Sequence, residues 1–490
     1  MEEKLLLSLK SNIDYIKYIF SDCGDIVYRE FFAGCNMCLV YIDNITNSVA
    51  IEESILTNLM NRSDMHGDGN EFIDRSLLEV VSVKDVKKIY TFQEVINAIL
   101  SGDTVILCDE ADSALQASTK GFPTRGVGSV KTEVSVLGPK DAFNESIAVN
   151  IVLIRRRIKD TKLKLKRMKI GTGTKTDIAV MYMEGIVNNE ILKNVEKSLE
   201  SVDIDGVYDS GYIEQLIEKE FTSPFPQIQI TERPDKTASS LMEGRIAVVV
   251  DNSPYVILLP APLNEFFQSA DDYYERWEIM SFIRFMRYVG AFLAISLPGL
   301  FIALAVYNPS VLPVSLALKI AGSRQNIPFP TAAEMLVMEI AFELLIEAGI
   351  RLPSPVSSTI GIAGGIIIGQ AAVEAGIVSP MIIIISALTA ICTYVIPNTS
   401  VTAGIRIFKY IIIFTSSFFG LFGFWIGILL LLIHLSSIKT FGIPYLYPFC
   451  SASENGYSDL KDSIFRLPLF MIKKRPVYAN KENRKKQGGK

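Results

Sequence analysis

Charged and apolar residues are distributed differently in the two parts of this 490-residue chain. Over residues 1–280 they interleave at short period, as in a water-soluble protein. Beyond that point come four uncharged runs, at 288–318, 352–373, 375–405 and 410–438. About 20 apolar residues cross a hydrocarbon core, so the pattern predicts spans near 285–306, 356–377, 380–396 and 407–435. Residues 331–349 form a further helix-length apolar stretch, carrying Glu334, Glu339, Glu343 and Glu347. The last three are spaced i, i+4, i+8 and share one helical stripe. Ionisable side chains at membrane depth are costly and usually face a watery path, a partner or the interface. Glu339, Glu343 and Glu347 are therefore candidates for a cation path; the alternative is an interfacial helix with its acids in water.

The run after 352 carries Gly361, Gly365 and Gly369, a GxxxGxxxG face that lets helix backbones approach closely within a subunit or between subunits. On the opposite side lie Ile360, Ile367 and Glu374, with Ala363 and Gln370 alongside. If that side faces the axis of a ring, Ile360 and Ile367 form an apolar constriction that gates by dewetting, and Gln370 and Glu374 its polar mouth. The bland alternative has Ile367 facing lipid or its own subunit.

The first 280 residues read as two α/β subdomains. In 1–130 the pattern predicts strands at 38–43 and 104–108, helices at 48–60 and 91–100, and a Gly/Pro loop at 121–128 as the joint. In 131–280 it predicts helices at 143–157, 188–200 and 211–220, strands at 162–166 and 177–183, an irregular SPFP at 223–226, and a hairpin-like pair at 245–251 and 254–259. The fold class expected is thus an α/β soluble N-terminal region of two subdomains followed by an all-α transmembrane domain (281–440), with 441–490 as a cytoplasmic tail.

Composition changes this picture little. With 48 basic and 53 acidic residues the net charge is −5, which by itself implies no acidic or basic partner. The opening MEEKLLLSLK is acidic at once and lacks a basic n-region, so it is not read as a signal peptide. Arg284 and Arg287 precede the first span and a basic, disordered tail follows the last, so both termini are expected in the cytoplasm with an even number of spans. Four spans satisfy that condition and leave 331–349 associated with the membrane without crossing. Arg406 and Lys409 then fall on the outer side, against the same bias.

The remaining motifs carry little chemistry. Cys35 and Cys38 form a CxxC that precedes a strand and has no second pair nearby, so ordinary thiols are preferred to redox or zinc use. GTGTKT at 171–176 lacks phosphate-loop spacing and precedes a strand, so it is read as a turn. Residues 155–169 hold nine basic residues and one acid, which fits a solvated face as well as anionic lipid or an acidic partner. Nucleic acid is disfavoured, because no aromatic residues interleave the run. No triad, zinc-peptidase or paired-carboxylate arrangement appears, so the chain is not read as an enzyme, and no metal or cofactor is expected.

Several longer motifs carry a resemblance. Gly138-Pro139 with Phe143, NES at 144–146 and NIVLIRRRI at 150–158 are followed by TERPD at 231–235, EGRIAVVVD at 243–251, DDYYERW at 271–277 and SFIRF at 281–285. SRQNIPFPT at 323–331, EAGIRLPSP at 347–355, IGQAAVEAGIVSP at 368–380, LLIHLSS at 431–437 and FGIPYL at 441–446 continue it. In this order they resemble the endospore germinant-receptor A subunits, the GerA family, over about residues 130–475; residues 1–125 agree in pattern only. Leu137 and Ala142 depart from the Arg and Gly usual in the family. The resemblance implies one subunit of a three-part receptor in the inner spore membrane, with a transporter-like B subunit and a lipoprotein C subunit as partners. It further implies a ring, a pentamer, around a nutrient-gated cation channel. The competing expectation is a non-conducting membrane scaffold that holds the B and C subunits.

Overall fold

The computed structural model describes residues 3–61, 69–121, 128–325, 327–351, 364–365, 369–450, 460 and 462–486. The chain divides into two units. The first joins Met1–Glu218 and Ile228–Pro260 to the tail Lys473–Lys490; the second joins Lys219–Gln227 to Ala261–Ile472.

The first unit holds two five-stranded sheets. β1 (Ile26–Phe32), β2 (Asn36–Ile42), β3 (Val86–Ile89), β4 (Thr104–Cys108) and β5 (Ala114–Ala117) lie in the order β1-β2-β4-β5-β3. Every pairing in it is antiparallel, with Met37 opposite Cys108. Strand β2 is buried on both faces, which is why it reads as an unbroken apolar run. Cys38, Val40 and Ile42 join one core with helices α1 (Leu9–Ile19) and α2 (Phe92–Leu100). Met37 and Leu39 join the other, with Ile55, Leu59 and Phe72. The Thr91/Glu94 capping box starts α2 where the pattern places it.

The second sheet comprises β6 (Leu163–Ile170), β7 (Thr176–Met183), β8 (Gln229–Thr231), β9 (Ile246–Val250) and β10 (Val256–Leu259), ordered β8-β10-β9-β7-β6 and again antiparallel. Helices α3 (Ile147–Arg155) and α6 (Pro234–Met242) bury Ile151, Ile154, Ala238 and Leu241 against Met181, Val249 and Leu258 on one face. Helices α4 (Asn189–Glu200) and α5 (Ser210–Ile217) complete the subdomain. Arg155 locks the two subdomains together, donating to Asp25 from Nε at 2.5 Å and Nη2 at 2.7 Å and to the Leu163 carbonyl from Nη1 at 3.2 Å.

The tail corrects an expectation. Residues 473–486 are ordered on the second subdomain, with Tyr478 and Ala479 buried. The Asn480 N–H donates to the Ile186 carbonyl at 2.7 Å and Asn483 Nδ2 to Gly185 at 2.8 Å. Gly244, at φ +95°, lets Ala479 come close; a Cβ there would meet the Ala479 Cα at 2.9 Å. A buried tyrosine and backbone pairing outweigh the basic composition that suggested disorder.

The second unit is helical: α7 (Trp277–Ile302), α8 (Val314–Ser323), α9 (Thr331–Arg351), α10 (Pro380–Tyr394) and α11 (Thr399–Ser437). Among the described residues two stretches are long and apolar enough to cross a membrane, Trp277–Tyr307 and Thr399–Ser437. At the head of α7, Arg284 and Arg287 are buried against Asp272 at 3.0 and 2.8 Å, so DDYYERW supplies the counter-charge of the membrane-entry arginines.

The span expected at 407–435 is corrected. Gly420, at φ +57° and ψ −135°, breaks α11 into two arms that fold back on each other. The Phe408 and His434 rings lie 5.3 Å apart, whereas 26 residues of straight helix would separate them by about 39 Å. A Cβ at Gly427 would meet Ile412 Cγ1 at 2.8 Å, and one at Gly423 would collide with the Thr415 carbonyl. Only glycine allows so close an approach, and the arms, 399–419 and 421–437, measure about 31 and 25 Å.

The other expected spans fare differently. The first lies within the Trp277–Tyr307 stretch. Helix α10 has 15 residues, about 22 Å, short of a hydrocarbon core of about 30 Å. Half of 356–377 lies outside the described residues, and 369–374 is helical. Helix α9 packs among its neighbours through Met335 and Met338, with Ile302, Ile382 and Ile413 in the same core. It is therefore packed into the helical bundle, and of the acids in the expected stripe Glu339 is buried while Glu347 is exposed.

Candidate functional site

Helix α9 carries four acids, and each has a cationic partner. Glu334 is fully buried; it meets Arg324 Nε at 3.3 Å and accepts the Ser379 N–H at 2.9 Å, capping the start of α10. One turn on, Glu339 Oε2 accepts from Lys409 Nζ at 2.6 Å. The same ammonium lies 3.3 Å from Glu343 Oε1, and Arg406 Nη1 lies 3.3 Å from Glu343 Oε2. Glu347 is exposed and pairs with Arg351 on its own helix at 2.7 Å.

The expected carboxylate stripe is therefore split. Glu339 and Glu343 share a neutral, four-charge cluster with Lys409 and Arg406, while Glu347 stands apart at the surface. The cluster grades from dry to wet. The Lys409 and Glu339 side chains are 4% and 3% exposed, those of Arg406 and Glu343 28% and 24%. Removing one partner of a buried pair costs about 3–5 kcal/mol, because the other charge is left uncompensated. Lys409 and Arg406 were visible in sequence as a lone i, i+3 pair in an apolar run. Nothing in that spacing identifies partners some 60–70 residues away.

Gln370 and Glu374 are exposed on the helical segment 369–374, and are not part of the Glu339/Glu343 cluster. Ile360, Ile367 and Gly361 lie outside the described residues. A Cβ at Gly369 would meet Ile383 Cγ2 at 3.6 Å, whereas one at Gly365 would meet nothing within 4 Å among the described residues. The close approach occurs at Gly364, where a Cβ would lie 2.7 Å from Leu345 Cδ1.

The irregular loop expected around SPFP sets the other side of α11. Residues 219–227, which include SPFP, pack within the helical unit. The Phe225 ring lies 5.5 Å from Phe408 and 6.1 Å from His434, and a Cβ on Gly404 would strike its Cδ1 at 2.7 Å. Ser223 Oγ and His434 Nε2 are hydrogen-bonded at 2.9 Å. At 100° per residue Gly404 and Phe408 fall opposite Arg406 and Lys409. One helix thus has the loop on one face and the ion cluster on the other.

The lesser motifs resolve simply. Cys35 and Cys38 point to opposite faces of their sheet: Cys38 joins the core with α1, and Cys35 packs on the other. The Cys35 thiol hydrogen-bonds with Cys108 and lies below its ordinary pKa, while burial pushes Cys38 up to about 12. Among the described residues no group of His, Cys, Asp and Glu could hold a metal ion. The basic run is largely neutralised within its own unit: Arg155 pairs with Asp25, Arg157 with Asp141, Lys164 with Glu184, Lys166 with Glu196 and Lys169 with Asp177.

Known proteins share this sequence along nearly its whole length. The profile of the family described as Bacillus/Clostridium GerA spore germination protein matches residues 14–478. Spore germination protein KA of Bacillus subtilis is 38% identical over 98% of this chain and 88% of that protein. The uncharacterized membrane protein YfkQ of the same organism is 37% identical, over 98% of this chain and 93% of that protein. Spore germination protein GerLA of Bacillus cereus is 37% identical over 96% of each. The crystal structure of the N-terminal domain of the A subunit of the Bacillus megaterium spore germinant receptor GerK3 is 34% identical, covers 53% of this chain and 96% of that one, and superposes with a TM-score of 0.43.

Proposed function

The chain belongs to the GerA family of spore germination proteins, and from that premise we propose that it is the A subunit of a germinant receptor, a non-enzymatic membrane protein that assembles as a ring around a nutrient-gated cation path. The observation that carries the reading is the Glu339–Lys409–Glu343–Arg406 cluster inside the helical bundle. Four ionisable groups on otherwise apolar helices are costly, and a path for ions is the function that repays them. Helix faces bearing Phe414, Phe418, Phe422 and Trp425 are exposed in the single chain, as expected of surfaces met by lipid or by another copy.

The finer statements belong to the same proposal. Residues 1–130 and 131–280 are soluble subdomains on the cytoplasmic side, and 281–440 is an all-α multi-pass domain of the inner spore membrane. The tail returns to the first unit, which supports both termini on one side and an even number of crossings. A transporter-like B subunit and a lipoprotein C subunit are its partners, and the ring is a pentamer. Gly365, where a Cβ would meet nothing within 4 Å among the described residues, supports packing on a second copy; Ile360 and Ile367 as gate, with Gln370 and Glu374 as its mouth, complete the path.

A scaffold without conduction is the second reading, favoured by the pairing of each α9 carboxylate with a basic side chain of the same chain. Purified protein in liposomes separates the two. The channel reading expects cation flux and, in single-particle images, a closed ring with a central opening. A scaffold gives neither.

A further inference from the structure

Two carboxylates close together on a helix do not make a binding site, but these two hold an occupant. The Lys409 ammonium is a compact, three-donor point charge, 2.6 Å from Glu339 Oε2 and 3.3 Å from Glu343 Oε1. The Tyr410 ring centroid is 5.2 Å from it, within cation–π range. The seat also has a ligand atom in reserve. Glu339 Oε1 is buried and accepts no hydrogen bond among the described residues. The Ser386 hydroxyl lies beside the same carboxyl and donates to Met335 Sδ at 3.4 Å, a further oxygen at the seat.

Charge sets the class of ligand. With Lys409 and Arg406 present the cluster sums to zero. Without the ammonium it carries one negative charge, which one monovalent cation neutralises and a divalent one overshoots. The available ligands are hard carboxylate oxygens, suited to an alkali cation. Arg406 stands at the wetter rim, 28% exposed, with its nearest carboxylate Glu343 at 3.3 Å.

We propose that Glu339 and Glu343 form a monovalent-cation site whose seat the tethered ammonium of Lys409 occupies in the resting protein. The proposal rests on the ion-path reading for its consequence: a path whose cation seat is filled by the protein's own lysine is shut, and conduction requires α11 to withdraw Lys409. The loop face of the same helix, at Gly404 and Phe408, is where such a movement can be driven.

The test uses the full-length protein purified in detergent, with Lys409→Ala as the vacated seat. Melting is followed in potassium, sodium, propylammonium and choline chloride at equal ionic strength. Wild type is expected to melt alike in all four. Lys409→Ala should melt about 3 °C or more higher in potassium, sodium or propylammonium than in choline, and adding Glu339→Gln should remove that difference. Equal melting in all salts, or recovery on acidification alone through carboxylate protonation, would overturn the site. Lys409→Gln, which keeps chain length and hydrogen bonding, is the second variant should the alanine protein fail to fold. Flux through liposomes is read in parallel. Salt-specific stabilisation without flux keeps the site and removes the ion-path reading; flux without salt-specific stabilisation does the reverse.

Discussion

The two units each bury a basic side chain against acid, and the two arrangements differ. In the α/β unit Arg155 meets Asp25 with two N–H groups and gives a third to a carbonyl, with both side chains 1% exposed. A guanidinium fork on a carboxylate is rigid and geometrically specific. In the helical unit Lys409 divides one ammonium between two carboxylates and leaves Glu339 Oε1 unused. The first is a rivet between subdomains. The second is a shared, exchangeable charge. A buried ion pair is therefore no single kind of object; how fully its polar atoms are matched decides whether it can let go.

The largest expected effect breaks the rivet. Arg155→Met strands Asp25 in the interior and should destabilise the α/β unit by about 3–5 kcal/mol, seen as an early melting transition and low yield. Lys409→Ala in potassium should cost less, since a cation can replace the ammonium; equal losses would erase the distinction.

Glycine positions sharpen it next. Gly427→Leu should prevent the α11 arms from closing and lower the amount of folded protein recovered from membranes. Gly365→Leu should leave the subunit's melting unchanged while reducing assembled rings, since that position meets nothing within 4 Å among the described residues. Loss of folded subunit in both would place Gly365 inside the monomer after all.

A smaller effect is expected from Phe225→Ala. It empties the contact on the loop face of α11 without touching the charges, so spores carrying it should hold normal receptor levels yet respond more slowly to germinant. A response at the wild-type rate would remove the loop from the coupling route.

The smallest effect is a pH dependence in the α/β unit. Burial, with Glu218 and Asp209 nearby, pushes the Glu214 carboxyl up to about 7. A raised folded value means that the unfolded chain ionises first as pH rises. The stability linked to this group is therefore intact below its ordinary value and is lost as pH climbs towards about 7. Glu214→Gln should flatten the melting temperature between about pH 5 and 7 relative to wild type; an unchanged slope would assign the dependence elsewhere.

The α/β unit was legible wherever local period decided the outcome. Thr176–Met183, Asn189–Glu200 and the Ile246–Val250/Val256–Leu259 pair fall where alternation and capping residues place them. Strands β1, β3 and β5 and helix α1 escaped notice, because the partly exposed IVYREFF and the four-residue VKKI and ALQA carry too few positions to declare a period. The helical unit hid its two main facts for other reasons. The α11 turn takes a single residue, Gly420, so 410–438 keeps the composition of one span. The partners of Glu339 and Glu343 are a matter of tertiary packing, which no spacing along α9 encodes. The tail failed for the converse reason, since its basic composition outweighed Tyr478 and Ala479 in the reading.

The central claim is that the α9 carboxylates serve ions and do not merely hold helices together. Its most direct test is cation release from spores carrying Glu343→Gln, measured after germinant addition at matched receptor levels. Gln keeps the size and hydrogen-bonding capacity of Glu and removes only the charge. The account predicts release slowed by about tenfold or more, a barrier change of about 1.4 kcal/mol, with the protein still in the membrane. Release at the wild-type rate would contradict it and leave Glu343 as packing alone.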